Sequence, residues 1–176
     1  MKKILIVIDM QNDFITGKLG TPEALAIVPK VKEKIVSYKQ NNNKIYFTQD
    51  THYLKDPHRV SSIEEKRVPQ HCIYATPGWC IIEQLFPYSI GYTLAKNTFG
   101  IVDWKKQNFC HDSNFEIEIV GVCTDICVIS NALALRAAYP NVPIIVDASC
   151  CAGTTPEKHK MALEIMKSCC IDVVNE

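Results

Sequence analysis

Residues 115–138, FEIEIVGVCTDICVISNALALRAA, contain an apolar run that passes directly into a helical pattern. The run Phe115–Val122 is rich in Ile and Val and predicts a buried strand, whereas Thr124–Ala138 is dense in Ala and Leu and predicts a helix. A strand followed at once by a helix is typical of a parallel sheet. Two cysteines four residues apart, Cys123 and Cys127, lie at this junction.

The same alternation recurs along the chain. Short runs rich in Ile and Val predict further strands at Ile4–Ile8, Lys44–Phe47, Pro143–Val146 and Ile171–Val174, and a short strand is expected near Tyr92–Ala95. Helical periodicity predicts helices over Ala24–Lys39, after an N-cap at Thr21, and over Thr155–Cys170, capped by Thr155. These elements indicate an α/β, three-layer, Rossmann-like fold, in which helices cover both faces of a mostly parallel sheet of about six strands.

The composition argues against nucleic-acid-binding, membrane and secreted proteins. No linker, repeat or low-complexity tract interrupts the 176 residues, so 1–176 is expected to be a single domain. The formal net charge of zero argues against a nucleic-acid or membrane partner. The first apolar run stops at Asp9, too early for a signal peptide, and the nine cysteines form no even framework. We therefore expect reduced thiols and a cytoplasmic protein.

Reactive side chains follow several of the predicted strands. In an open parallel sheet, ligand sites form beyond the carboxyl ends of the strands. An acid, a second acid with a histidine, a lysine and a cysteine would then share one edge: Asp9, Asp50, His52, Lys96 and Cys127. Each has an ordinary interpretation alone, such as capping a turn, but their common placement favours an active site.

Cys127 is a candidate nucleophile because the first turn of a helix offers free backbone N–H groups that stabilise a thiolate or an oxyanion. No histidine follows a strand near it, so Asp9 is the candidate base. Lys96 could hold the Asp9 carboxylate and stabilise developing negative charge. A buried thiol without a chemical role is the alternative. A structural zinc knuckle at Cys123 and Cys127 is disfavoured, since no second pair follows at suitable spacing.

A second group of polar residues lies in the segment 50–71. Asp50 and His52 face the same way if the chain is extended there, and His58 and His71 follow in the loop. One Asp with several His suits a divalent transition metal such as Zn, Fe or Mn. The alternative is a polar loop with surface histidines. Two further histidines are predicted to lie at the surface: His111 and His159.

Five segments resemble, in order, the isochorismatase-like cysteine hydrolases and, within them, the nicotinamidases. The segments are VIDMQNDF at 7–14, FTQDTH at 47–52, VPQHCIYATPGW at 68–79, AKNTFG at 95–100 and GVCTDICVISNA at 121–132. The resemblance spans most of the chain. It implies a parallel sheet of about six strands, hydrolysis of a small-molecule amide and a homo-oligomer.

The resemblance also implies roles for single residues. The Asp, Lys and Cys of the family's catalytic triad correspond to Asp9, Lys96 and Cys127, with Cys127 as nucleophile. The backbone amides of Cys123 and Cys127 correspond to the oxyanion hole, with a cis peptide bond between Val122 and Cys123.

The metal ligands of nicotinamidases, one Asp and three His, correspond to Asp50, His52, His71 and, by spacing, His58. The sequence of the loop around His58 differs from the usual family motif, so Glu64 or Glu65 is an alternative fourth ligand. Some relatives with a similar pattern carry an acid in this loop.

The chain departs from the family pattern at a residue that bears on the identity of the substrate. Nicotinamidases commonly carry a Trp just ahead of the HC motif, and this chain has Val68 there. Phe14 is a candidate to pack on a substrate ring, and Phe99 or Trp79 could supply another face. The resemblance implies conversion of nicotinamide to nicotinate and ammonia through a thioester. The alternatives are another small amide or carbamoyl substrate, or a non-catalytic binding protein.

Overall fold

The computed structural model describes residues 2–54, 62–107, 109 and 114–176. In chain order its strands are β1 (Lys2–Ile8), β2 (Lys44–Asp50), β3 (Thr93–Lys96), β4 (Phe115–Val122), β5 (Ile144–Ala152) and β6 (Asp172–Val174). They form one parallel sheet in the order β3-β2-β1-β4-β5-β6, which confirms the predicted Rossmann-like fold. The strand order reverses beside β1, where ligands bind in such sheets.

Helices pack on both faces of this sheet. They are α1 (Asn12–Ile15), α2 (Pro22–Ala26), α3 (Val28–Gln40), α4 (Ile63–Arg67), α5 (Phe86–Ser89), α6 (Ile129–Ala138) and α7 (Pro156–Ser168). Alternate residues of β1 enter two separate cores: Ile4, Ile6 and Ile8 pack with α6 and α7, and Leu5 and Val7 pack with α3. Both faces are thus buried, which explains the almost uninterrupted apolar strand. In the part of the chain that is described, no helix is long and apolar enough to cross a membrane.

The helix predicted over Ala24–Lys39 is wrong in one respect, because the segment forms two helices. α2 ends at Ala26, and α3 begins at Val28 with Pro29 in its first turn. Proline lacks an N–H, and its ring collides with the carbonyl four residues earlier, so it starts a helix more readily than it continues one. The predicted cap is confirmed, since the Ala24 amide donates to Thr21 Oγ1 over 3.0 Å.

β2 ends at Asp50, as the strand-end placement of this acid predicted. β5 runs further than predicted and continues to Ala152, past the polar residues Asp147 and Ser149. The end of β5 pairs with the end of β4. This cross-strand pairing depends on tertiary structure, which local apolar patterns do not report.

A buried charged cluster lies between α3 and the sheet. Lys34 Nζ lies 2.5 Å from Glu118 Oε1 and 2.5 Å from Asp147 Oδ2, and the Tyr38 hydroxyl also donates to Glu118. Burial acts to raise the pKa of Asp147, but the hydrogen bonds from Lys34, Ser149 and Asn175 and the charge of Lys34 together outweigh it and lower that pKa. The ionised cluster therefore stabilises the position of α3 on the sheet.

We expect Lys34→Met to lower the free energy of unfolding by about 3 kcal/mol, because it leaves two buried carboxylates without their cation. Lys32→Met, at an exposed position of the same helix, is the matched control and should change it by less than about 0.5 kcal/mol. Urea denaturation of both variants measures the difference. Equal losses in the two variants would contradict the role assigned to the cluster.

The contribution of Asp147 should depend on pH. Because its folded-state pKa is lowered, its stabilisation is complete above the unfolded-state pKa of about 3.9 and is lost as pH falls through the folded-state value. The difference in unfolding free energy between the wild type and Asp147→Asn should stay constant from pH 7 to about pH 5 and shrink below that. Urea titrations at several pH values measure it. A difference that persists undiminished at pH 2 would count against the ionised cluster.

Candidate active site

Polar side chains meet at the carboxyl edge of the sheet. Asp9 follows β1 directly, Asp50 and Lys96 are the last residues of β2 and β3, and Cys123 follows β4. Asp50 and Lys96 are also partners in the register of β2 and β3. Parallel strands end on the same side, so four separate parts of the chain deliver these groups to one place.

Lys96 lies at the centre of this group. Its Nζ is 2.7 Å from Asp9 Oδ2, 3.3 Å from Asp50 Oδ1 and 3.8 Å from Cys127 Sγ. Asp9 is completely buried, and the other three are nearly so. The structure thus brings together the carboxylate, ammonium and thiol that the sequence suggested as a triad.

The Asp9 carboxylate is held by a hydroxyl on the neighbouring strand. Thr48 Oγ1 donates to Asp9 Oδ1 over 2.6 Å, and the Asp9 amide donates to the same hydroxyl oxygen over 3.1 Å. The backbone of Asp9 is left-handed, with φ of 48°, a conformation that Asp tolerates better than most residues. One carboxylate oxygen is therefore fixed by Thr48, while the other contacts Lys96.

Burial and charge prepare these groups for proton transfer. Burial raises the pKa of Asp9, although Lys96 opposes the shift, and burial likewise raises the pKa of the Cys127 thiol well above its usual value. Burial acts against the charge on Lys96, but the attraction of Asp9, Cys127 and Asp50 and the hydrogen bond to Asp9 together outweigh it and raise the pKa of the lysine. The arrangement pairs a protonated thiol with a carboxylate of enhanced basicity and a cation that stays charged.

Cys127 lies in a wide helical turn at residues Thr124–Val128 that precedes α6. The amides of Ile126 and Val128 both donate to the Cys123 carbonyl over 3.0 Å, and the second of these bonds spans five residues. The predicted regular first turn of an α-helix is therefore replaced by a π turn. The peptide bond between Val122 and Cys123 is cis.

Hydrogen bonds join this turn to α7 and to the segment that precedes α7. His159 Nδ1 lies 2.8 Å from Thr124 Oγ1. The Asp125 carboxylate accepts from the amide and the hydroxyl of Thr154 over 2.7 and 2.6 Å. The prediction of a surface position for His159 is wrong, because the side chain is half-buried against the turn. The burial of His159 depends on how α7 packs against the turn, which the residues around it in the sequence do not reveal. The other histidine predicted to lie at the surface, His111, lies outside the described residues.

A cluster of potential metal ligands adjoins Lys96. Asp50 Oδ2 lies 2.9 Å from His52 Nε2 and 3.1 Å from His71 Nε2. The Nδ1 atom of His71 is 2.7 Å from the Pro69 carbonyl. A proton on Nδ1 donated to that carbonyl leaves the Nε2 lone pair directed at the cluster, as in metal-binding histidines generally.

The fourth member of the cluster is Glu64. Its Oε1 lies 3.8 Å from His52 Nε2 and 3.7 Å from His71 Nε2, and one ligand atom from each of the four residues lies within 4.8 Å of the others. Glu65 instead caps α4 by accepting from the Ser62 amide over 3.0 Å. Two imidazoles and two carboxylates at this spacing suit a divalent metal such as zinc. The predicted ligand His58 lies outside the described residues.

Gln11 was not singled out by the sequence analysis, yet it joins the strand ends. Its Oε1 accepts from the Asp50 amide over 2.7 Å, and its Nε2 donates to the carbonyls of Asp50 and Trp79, each over 2.8 Å. Gln11 is completely buried. Its position in IDMQNDF, two residues after a strand-end acid, was the available signal.

A cavity of about 260 Å³ opens beside Cys127. Its apolar walls are Phe14, Leu19, Val68, Phe99 and Ile126, and its other lining residues are Thr21, Glu64, His71, Cys123, Cys127 and Thr154. Phe14 and Phe99 thus both face the space next to the thiol, as expected of ring contacts. Trp79 does not line this cavity; its indole N–H donates to Thr51 Oγ1 over 2.9 Å. The thiol and the metal-ligand cluster open into the same apolar space.

Comparison with known proteins gives a consistent result. A family profile for the isochorismatase domain matches residues 3–176. An uncharacterised isochorismatase family protein of Bacillus subtilis is 30% identical over 93% of each chain. A nicotinamidase/pyrazinamidase of Mycobacterium tuberculosis is 26% identical over 98% of each chain. The crystal structure of a pyrazinamidase of Pyrococcus horikoshii in complex with zinc superposes with a TM-score of 0.81, at 28% identity and with 100% of both chains covered.

The metal-ligand cluster can be tested by replacing one carboxylate. We expect Glu64→Gln to weaken Zn²⁺ binding by at least about tenfold, because a charged oxygen ligand is lost while the shape is kept. Glu65→Gln on the same short helix is the matched control and should bind as the wild type does. Calorimetric titration of metal-free protein with ZnCl₂ measures both. Equal weakening in the two variants would remove Glu64 from the ligand set.

Proposed function

This chain belongs to the isochorismatase family and hydrolyses amide bonds, and we propose that it converts nicotinamide to nicotinate and ammonia through a thioester on Cys127. The observation that carries the proposal is the meeting of a buried thiol, carboxylate and ammonium at one edge of an apolar cavity. The similarity to nicotinamidases over almost the whole chain supports it.

Asp9 acts first as a base. It takes the proton from Cys127 Sγ as the sulfur attacks the amide carbonyl carbon of the substrate. Its raised pKa suits it to that role, and Lys96 keeps the carboxylate oriented without giving up its own proton.

The negative charge that develops on the carbonyl oxygen is held by the backbone amides of Cys123 and Cys127. One well-placed amide donor of this kind lowers the barrier by about 3–4 kcal/mol. The C–N bond then breaks, and Asp9 returns its proton to the departing nitrogen to release ammonia. Water, deprotonated by Asp9, attacks the thioester and releases the carboxylic acid and the free thiol.

Asp50, His52, Glu64 and His71 would hold a divalent metal such as Zn, Fe or Mn. The zinc complex of the pyrazinamidase from P. horikoshii supports this part of the proposal. When bound, such an ion would supply a Lewis acid that could orient a ring nitrogen of the substrate or a water molecule. Lys96, which contacts Asp50 as well as Asp9, joins the ligand cluster to the triad.

Phe14 and Phe99 would pack against the flat ring of the substrate. Val68, at the position where nicotinamidases commonly carry Trp, leaves part of the cavity wall small and aliphatic. This residue favours a second candidate, in which the same thiol chemistry acts on a different small amide or carbamoyl compound.

The first experiment is ammonia release from nicotinamide by the wild type and by Cys127→Ala. We expect the substitution to lower kcat by at least about 10³-fold, since a covalent nucleophile has no substitute in the site. Cys80→Ala, which removes an exposed thiol, is the matched control and should leave kcat unchanged. A Cys127→Ala variant with wild-type activity would refute the mechanism.

The same ammonia-release assay tests the identity of the substrate. Nicotinamide hydrolysis that is lost on Cys127→Ala supports the proposed substrate. If the wild type releases no ammonia from nicotinamide but does so from another amide in a Cys127-dependent way, the second candidate replaces it. Val68→Trp should then raise activity towards nicotinamide.

A further inference from the structure

Asn131 is a completely buried side chain on α6, four residues after Cys127. Its Nδ2 donates to the Cys127 carbonyl over 2.8 Å and to the Phe99 carbonyl over 3.1 Å. Its Oδ1 accepts from the Ile101 amide over 2.9 Å. Both N–H groups and the oxygen of the amide are thus engaged, and every partner is a backbone atom.

These bonds hold the loop 97–101 against α6. Gly100 lies so close to the helix that a Cβ at this position would be 3.1 Å from the Ser130 carbonyl carbon. The loop begins directly after Lys96 and carries Phe99, a wall of the cavity. The Phe99 side chain is 39% exposed, so its own burial does little to fix it, and the backbone bonds to Asn131 set its position.

One side chain therefore fixes the distance between the sulfur of Cys127 and the aromatic wall at Phe99. We infer that Asn131 is a positioning residue that acts through Phe99 and makes the site selective for amides borne on a flat ring. The inference rests on the proposed function, in which Cys127 is the nucleophile and Phe99 packs on the substrate ring.

The test is a double-mutant cycle on nicotinamide hydrolysis with the variants Asn131→Ala, Phe99→Ala and the double variant. Asn131→Ala should raise KM by about tenfold and change kcat by less than about threefold, because it loosens ring contacts while the Asp9–Lys96 pair stays intact. In the Phe99→Ala background the same substitution should raise KM by less than about twofold. Leu133→Ala, at a partly exposed position of α6, is the control and should match the wild type.

Two independent KM effects that multiply in the double variant would overturn the inference, because Asn131 would then act by some route other than Phe99. A loss of activity through kcat alone would overturn it as well. If Asn131→Ala does not fold, Gly100→Ala replaces it in the cycle, since its added methyl group pushes the same loop away from Ser130. We expect Gly100→Ala to raise KM by the same factor as Asn131→Ala and to raise it by less than about twofold in the Phe99→Ala background.

A second measurement separates this inference from the proposed substrate. The rates at which N-phenylmaleimide and N-ethylmaleimide alkylate Cys127 are followed by mass spectrometry of the peptide, without any substrate. The ratio of the two rates should fall about fivefold in Asn131→Ala and in Phe99→Ala, with no further fall in the double variant. An unchanged ratio overturns the inference even if nicotinamide is hydrolysed. The expected fall supports it even if nicotinamide is not a substrate.

Discussion

Lys96 is the one cation that contacts both buried carboxylates, Asp9 and Asp50, among the ion pairs of the described residues at this edge. Two buried negative charges without a cation between them would be strongly unfavourable in the protein interior. β3 is only four residues long, yet its pairing with β2 sets Lys96 opposite Asp50. The triad and the metal-ligand cluster are therefore one electrostatic unit, and a change in either affects the other.

Neutral side chains hold this unit in place. Thr48 fixes one oxygen of Asp9, Gln11 ties the backbone of β2 to the loop at Trp79, and Asn131 ties Cys127 to the loop that carries Phe99. Gln11 and Asn131 are both fully buried, and both bind backbone atoms. Amide side chains suit this task because they donate and accept hydrogen bonds without adding charge to a site that already holds several buried charged groups.

Local patterns in the sequence predict the parts of the fold in which burial is continuous along the chain. The apolar run Ile4–Ile8 of β1 is buried on both faces, so burial leaves a continuous signal in the sequence. The predicted bounds of an element are wrong where contacts with distant residues determine them. β5 extends beyond Val146 because its end pairs with the end of β4, and its polar residue Asp147 meets Lys34 from α3; no local stretch of sequence contains either partner. The break between α2 and α3 is different, because Pro29 marks it in the sequence and a proline starts a helix more readily than it continues one.

The sequence by itself determined which side chains lie at the carboxyl edge of the sheet. Asp9, Asp50 and Lys96 end their strands, and parallel strands point the same way, so order along the chain becomes proximity in space. Only the tertiary structure decided that Glu64, and not its neighbour Glu65, faces the two histidines, because this depends on the rotation of a single helical turn. The contacts of Asn131 with Phe99 and of His159 with Thr124 join elements more than 30 residues apart. Such contacts arise from the packing of complete helices and loops, and no short stretch of sequence encodes them.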